Sequence, residues 1–176
     1  IYAQALGSRL ATQHLIDLGH THIAEISGPL LNYDGRDRHT GWLETLRDNG
    51  LRGVLSVEGD WTLDGGYQAM NQLLDSGEHF TAVVVGNDSM ALGANTALRK
   101  RGYRIPEDVA LVGFDDLPEA EHFVPALTTV RQDFNVLGKA AVDYVVRLIE
   151  QPETPIQQTV LHPKLVIRDS TAPPQR

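Results

Sequence analysis

Five times in this chain a short apolar run and a helix-length amphipathic segment alternate, and that alternation leaves few folds open. Leu6, Leu10, Leu15 and Leu18 recur at near-helical spacing and stop at Gly19, a residue that takes a left-handed helix terminus without steric cost. Ile23 to Ser27 then alternates apolar and polar residues as far as Gly28-Pro29, which marks a strand entering a loop. A second helix is expected from about Asp37, carrying Trp42 and Leu46 on one face and ending at Asn49-Gly50. Val54 to Glu58 reads as the next strand, broken by Gly59. A third helix, from about Leu63 to Leu74, sets Tyr67, Met70 and Leu74 on one face, although Gly65-Gly66 weakens its first turn by about 1 kcal/mol per glycine relative to alanine.

Ala82 to Gly86 is apolar without interruption, as a central parallel strand buried on both faces should be. Asn87 or Asp88 caps a helix running to Gly102, with Ala91, Leu92, Ala94 and Leu98 on its apolar positions. Val109 to Gly113 is a further buried strand, ending at Phe114-Asp115-Asp116. Pro118 and Pro125 then bracket an irregular stretch, Leu127 to Gln132 is a short strand, and residues 134–150 form an amphipathic helix through Leu137, Ala141, Tyr144 and Leu148. Two strand-like runs follow around Val160 and Val166, and Thr171 to Arg176 reads as a disordered tail. Together these specify an α/β fold, a mostly parallel sheet flanked by helices.

At 176 residues the chain is long enough for one sizeable core. A net charge of −8 disfavours direct contact with nucleic acid or anionic lipid. Without cysteine there is no disulfide framework, thiolate metal site or thiol nucleophile. No apolar run approaches the roughly 20 residues that span a bilayer, so the chain reads as soluble, with no membrane partner. Ile1 and Tyr2 look like the tail of a strand with no methionine before them, so the chain reads as a fragment.

Function is expected at the carboxyl ends of the strands, which line the ligand crevice of an open parallel sheet. Asp60 before Trp61, Asn87, Asp115 and Gln132 stand there, a repeated polar pattern suited to a small polar ligand. Each has a plainer reading. Asp115-Asp116 also suits a strand-end cap and loop pair, Asn87-Asp88 a helix cap, Trp61 core or surface filler, and Arg36 and Arg38 a solvated helix start. His20 and His22 lie at a helix-to-strand turn with no third ligand nearby, so no metal is expected. No nucleophile elbow, P-loop or GxGxxG is present. Neither an enzyme nor a cofactor-binding protein is indicated.

The ordered motifs GSRLATQHLIDLGHTHIAEISGPL, RDRHTGW, GDW, VVVGNDSMALGA, VALVGFDD and PALTTVRQDF resemble the ligand-binding core of the LacI/GalR family of bacterial repressors, over about residues 2–168. The resemblance implies a type I periplasmic-binding-protein-like, Rossmann-like fold of two lobes with an effector between them. Residues 3–130 would form the C-terminal lobe, 131–161 would supply a crossover strand, helix and strand to the N-terminal lobe, and 162–176 would return and end. The DNA-binding region and the first half of the N-terminal lobe would be absent.

By the same resemblance the effector is a sugar, a galactoside among the candidates. Arg38 would bond sugar hydroxyls, Asn87 and Asp115 would read a diol, Gln132 and Phe134 would stand at the crossover, Tyr2 would join them, and Trp61 would offer a flat face to the pyranose. Leu92 and Phe123 would lie in a homodimer interface. Operator DNA would be bound through the missing N-terminal region, in the cytoplasm. Three departures bear on the identity of the sugar: Tyr2 replaces a phenylalanine, Phe114 replaces a tyrosine, and Leu63-Asp64-Gly65 differs after the GDW motif. The alternative within this fold is an extracytoplasmic sugar-binding protein for transport or chemotaxis.

Overall fold

A computed structural model describes residues 3–153, 155 and 157–175. Helices and strands alternate as α1 (Gln4–Asp17), β1 (Ile23–Ser27), α2 (Tyr33–Asp48), β2 (Ser56–Glu58), α3 (Leu63–Asp75), β3 (Ala82–Val85), α4 (Asp88–Lys100) and β4 (Ala110–Asp115). A 3-10 turn (Pro118–His122), β5 (Thr128–Arg131), α5 (Phe134–Glu150) and β6 (Lys164–Val166) complete the order. The strands lie side by side as β2-β1-β3-β4-β5-β6, all parallel except that β6 runs antiparallel to β5.

Successive side chains of a strand point to opposite faces, and here both faces are covered. Ile23, Val84, Ala110, Val112 and Val130 meet Ala11 and Leu15 of α1 and Trp42 and Leu46 of α2. On the other side Ala24, Ile26, Val83, Val85 and Leu111 meet Met70 and Leu73 of α3 and Met90, Ala94 and Leu98 of α4. The chain leaves β1 toward β2 on one side and returns to β3 on the other. A crevice therefore opens beyond the carboxyl ends of β1 and β3.

The glycines that weaken α3 locally have a packing reason. A Cβ built on Gly66 falls 2.1 Å from the Met90 carbonyl oxygen, and one on Gly93 falls 2.0 Å from that of Leu63, so α3 and α4 touch backbone to backbone. Gly93→Ala is expected to lower the free energy of unfolding by about 2 kcal/mol, measured in urea, because two helices must part to admit one methyl.

Four expectations are corrected. Helix α2 begins at Tyr33, not near Asp37: Asn32 is extended (φ −82°, ψ 144°) and the charged run from Asp34 is helix body with an acid in its first turn. Strand β2 spans only Ser56–Glu58. The described residues around Val160 form no strand. Leu161 forms a single bridge, its carbonyl accepting from Ala3 N at 3.0 Å.

The fourth correction concerns the tail, which is pinned through residue 172. Leu111 N donates to Ser170 O at 2.8 Å and Ser170 Oγ donates to Leu111 O at 2.6 Å. Thr171 Oγ1 meets His14 Nε2 at 3.0 Å, and Ala172 O accepts from His20 Nε2 at 2.8 Å. Helix α5 behaves differently, for it has no buried residue, and Val142 and Ile149 are 62% and 73% exposed. Among the described residues no helix is long and apolar enough to cross a membrane.

Candidate functional site

Arg38 lies on the first turns of α2 that face the crevice, and three chain segments hold its fork. Nε donates to Gln4 Oε1 at 2.9 Å, Nη1 donates to the Gly86 carbonyl at the end of β3, and Nη2 donates to Asp115 Oδ1 at 3.3 Å. Its Cζ sits 3.7 Å from the Phe114 ring centroid and 5.3 Å from that of Trp61. The Phe114 that replaces a tyrosine is therefore the surface on which the guanidinium rests. Burial lowers the arginine pKa and raises that of Asp115, each opposed by the other ion. A pair so desolvated adds little net stability, but it costs much to break, and it fixes position.

Asp115 Oδ1 also accepts from Gln132 Nε2 at 2.8 Å, while Oδ2 meets no protein donor among the described residues. With Gln4, Tyr33, Asp34, Phe134 and Leu137, these side chains line a cavity of about 380 Å³, within the roughly 300–1,000 Å³ usual for small-molecule sites. Gln4, Tyr33, Asp34 and Leu137 were not singled out from the sequence. Phe134 is half exposed at the start of α5, whose cap is the Asp133 carboxylate accepting from Asn135 N and Val136 N. Tyr2 lies outside the described residues.

Trp61 and Asn87 stand beside this cavity rather than in its wall. The Trp61 ring lies over Gly28, where any Cβ would fall 2.0 Å from an indole carbon. Asn87, not Asp88, caps α4: its Oδ1 accepts from Met90 N at 2.8 Å, and its Nδ2 donates to Trp61 O at 3.0 Å. Asp60 folds back on Thr62, accepting from its backbone N at 2.9 Å and its hydroxyl at 2.7 Å, which holds the carboxyl below its ordinary pKa. Its plain role is a turn. Among the described residues the non-glycine positions with positive φ are Trp61 (72°), Asp115 (107°) and Asp116 (55°), all beyond or at strand ends. Such conformations cost about 1–3 kcal/mol each and gather where geometry serves a ligand.

The neighbouring acids are structural. Asp116 accepts from Arg131 Nε and, at 2.7 Å, from Arg168 Nη2. Asp88, 2% exposed, accepts from the Thr129 hydroxyl at 2.6 Å and from Leu117 N at 2.8 Å, and burial pushes its pKa up to about 7. His20 is buried between Thr81 and Ala172 while His22 is exposed against His79, so the two do not converge. No cluster of three metal-ligating side chains occurs among the described residues. Leu92 and Phe123 share a separate groove of about 490 Å³ with Asn95, Thr96, Arg99 and Val124.

Residues 12–171 match the family of periplasmic binding protein-like domains. The lactose operon repressor of Escherichia coli K12 is 38% identical over 174 residues, which are 99% of this chain and 48% of that protein. The ribose operon repressor of the same strain is 41% identical over 167 residues, 94% of this chain and 51% of that protein. The chain spans about half the length of these curated relatives. Among solved structures, the Lac repressor dimer bound to operator and the anti-inducer ONPF superposes with a TM-score of 0.93 at 37% identity, covering 98% of this chain and 60% of that one. A shared fold, shared motif order and identities near 40% over nearly the whole chain agree: it belongs to the periplasmic binding protein-like domain family, as a ligand-binding core of the LacI/GalR type.

Proposed function

We propose that the chain is the effector-sensing portion of a LacI-type transcriptional regulator, with a small sugar held in the cavity of Arg38, Asp115, Gln132 and Phe134. The observation that carries this reading is Asp115. One carboxylate oxygen is committed to Arg38 and Gln132 while the other meets no donor among the described residues, so an acceptor stands fixed beside a guanidinium for vicinal hydroxyls. Trp61 and Asn87 would complete the edge of the sugar site. A galactoside is the first candidate.

Residues 3–130 are the C-terminal lobe in this reading, and 131–161 belong with a second lobe, whose strands would cover the open face of α5 before 162–176 return. Effector binding across the two lobes would favour one arrangement over another. Moving occupancy from 99:1 to 1:99 takes about 5.5 kcal/mol of differential affinity. DNA would be contacted by another region, in keeping with the charge of −8, and such a regulator works in the cytoplasm.

The homodimer interface would be the groove of Leu92 and Phe123, where the buried Asn95 Oδ1 has no hydrogen-bond partner among the described residues and awaits a donor. Leu92→Asp is expected to turn the dimer into monomer in sedimentation velocity. The function itself is tested by calorimetric titration of the full-length protein with D-galactose, lactose, D-ribose, D-glucose and hypoxanthine. Binding of one sugar, accompanied by a change in operator affinity, supports the reading. Binding of hypoxanthine alone, or of nothing, sinks it.

A further inference from the structure

Four side chains at the floor of the cavity close a hydrogen-bonded ring in which both amides have one consistent orientation. Arg38 Nε donates to Gln4 Oε1 at 2.9 Å, Gln4 Nε2 donates to Gln132 Oε1 at 3.1 Å, and Gln132 Nε2 donates to Asp115 Oδ1 at 2.8 Å. Arg38 Nη2 closes the ring on that same oxygen at 3.3 Å. A guanidinium only donates and a carboxylate only accepts. Neither amide can turn over without setting donor against donor or acceptor against acceptor. Gln4, Arg38 and Gln132 are each at most 8% exposed, so water does not relieve a mismatch.

From this ring we infer that Gln4 is a positioning residue for effector selection. It alone accepts from the arginine and donates to the second amide, and so it fixes which N–H groups of Arg38 and Gln132 stand beside the open Oδ2 of Asp115. The inference rests on the cavity being the effector site. Gln4→Met keeps the length of the side chain and removes both hydrogen bonds. Gln4→Glu keeps the acceptor for Arg38 but turns a carboxylate oxygen toward Gln132 Oε1, which must rotate away and alter the donors shown to the ligand.

The test is calorimetric titration of the full-length protein with D-galactose, D-glucose, D-ribose and lactose, for wild type, Gln4→Met, Gln4→Glu, Gln132→Met, the double Met variant and Asp115→Ala. Gln4→Met is expected to weaken the bound sugar roughly ten- to hundredfold. Gln4→Glu is expected to change the galactose-to-glucose affinity ratio by about tenfold, which a purely structural role would leave alone. The double variant should lose less than the product of the single losses, by about fivefold or more. Multiplicative losses with an unchanged ratio overturn the inference while the cavity reading stands, provided Asp115→Ala abolishes binding. Wild-type binding by Asp115→Ala, or binding of no sugar by wild type, overturns the cavity reading and the inference with it. If Gln4→Met does not fold, the ratio measured with Gln4→Glu decides.

Discussion

Asp115→Ala is expected to abolish effector binding in calorimetric titration and to lower the free energy of unfolding by about 3 kcal/mol. The stability loss follows from the Arg38 guanidinium, which is buried and loses its countercharge while keeping its bonds to Gln4 and Gly86. The binding loss follows from Oδ2, the cavity acceptor on the carboxylate that Arg38 and Gln132 hold in place. Asp115→Asn separates the two effects. Its oxygen can face Arg38 and Gln132 and restore those hydrogen bonds but not the countercharge, so urea unfolding should recover only part of the loss. Its amide nitrogen then occupies the Oδ2 position and presents a donor where the ligand hydroxyl needs an acceptor, so affinity should stay at least about a hundredfold down. Full affinity in the asparagine variant would remove Asp115 from the site.

Asp88→Asn should remove the fall in stability between about pH 4 and 7 that this carboxyl contributes. The folded-state pKa of Asp88 is raised to about 7 by burial, against a usual value of 3.8, so the folded protein holds a proton that the unfolded chain releases. Stability from this group is complete below about pH 4, falls as pH rises through 7, and is flat above. A shift of about three units corresponds to at most about 4 kcal/mol. Asparagine is neutral throughout, can accept from Leu117 N, and can donate to the Thr129 hydroxyl oxygen. The variant is therefore expected to exceed wild type in unfolding free energy at pH 8 and to match it near pH 4. Equal slopes in urea titrations across this range would show that Asp88 is ionised at little cost.

The fold was legible wherever burial wrote itself into composition. Ala82–Val85 and Val109–Gly113 are apolar because both faces of β3 and β4 are covered, and a two-sided central strand has no other way to look. Asp115 and Gln132 stood out as candidates because strand ends are fixed by topology, whereas Arg38 stood out only through the family resemblance. What escaped were contacts between residues far apart in sequence. Gln4 and Gln132 are 128 positions apart, and nothing near Gln4 announces its partner. The tail looked loose because Pro173-Pro174 and small polar residues suggest disorder, yet Ser170 and Thr171 are held by strands β4 and β5 and by α1. The choice between Asn87 and Asp88 as the cap stayed open because either can cap a helix, and only the depth of Asp88 beneath Gly113 decides between them.

The pinned segment around Ser170 gives the molecule a polarity that matters for anyone who must attach something to it. Its anchors, Leu111, Thr128, His14 and His20, belong to the amino-terminal ends of the parallel strands and the far end of α1. The cavity lies at the opposite pole, where Gln4 begins α1. A tether or fluorophore joined after residue 175 departs from the base and leaves the cavity mouth clear, whereas one joined just before Gln4 sits on its rim. Surface immobilisation through a side chain near residue 175 is accordingly the geometry that keeps the cavity facing away from the chip.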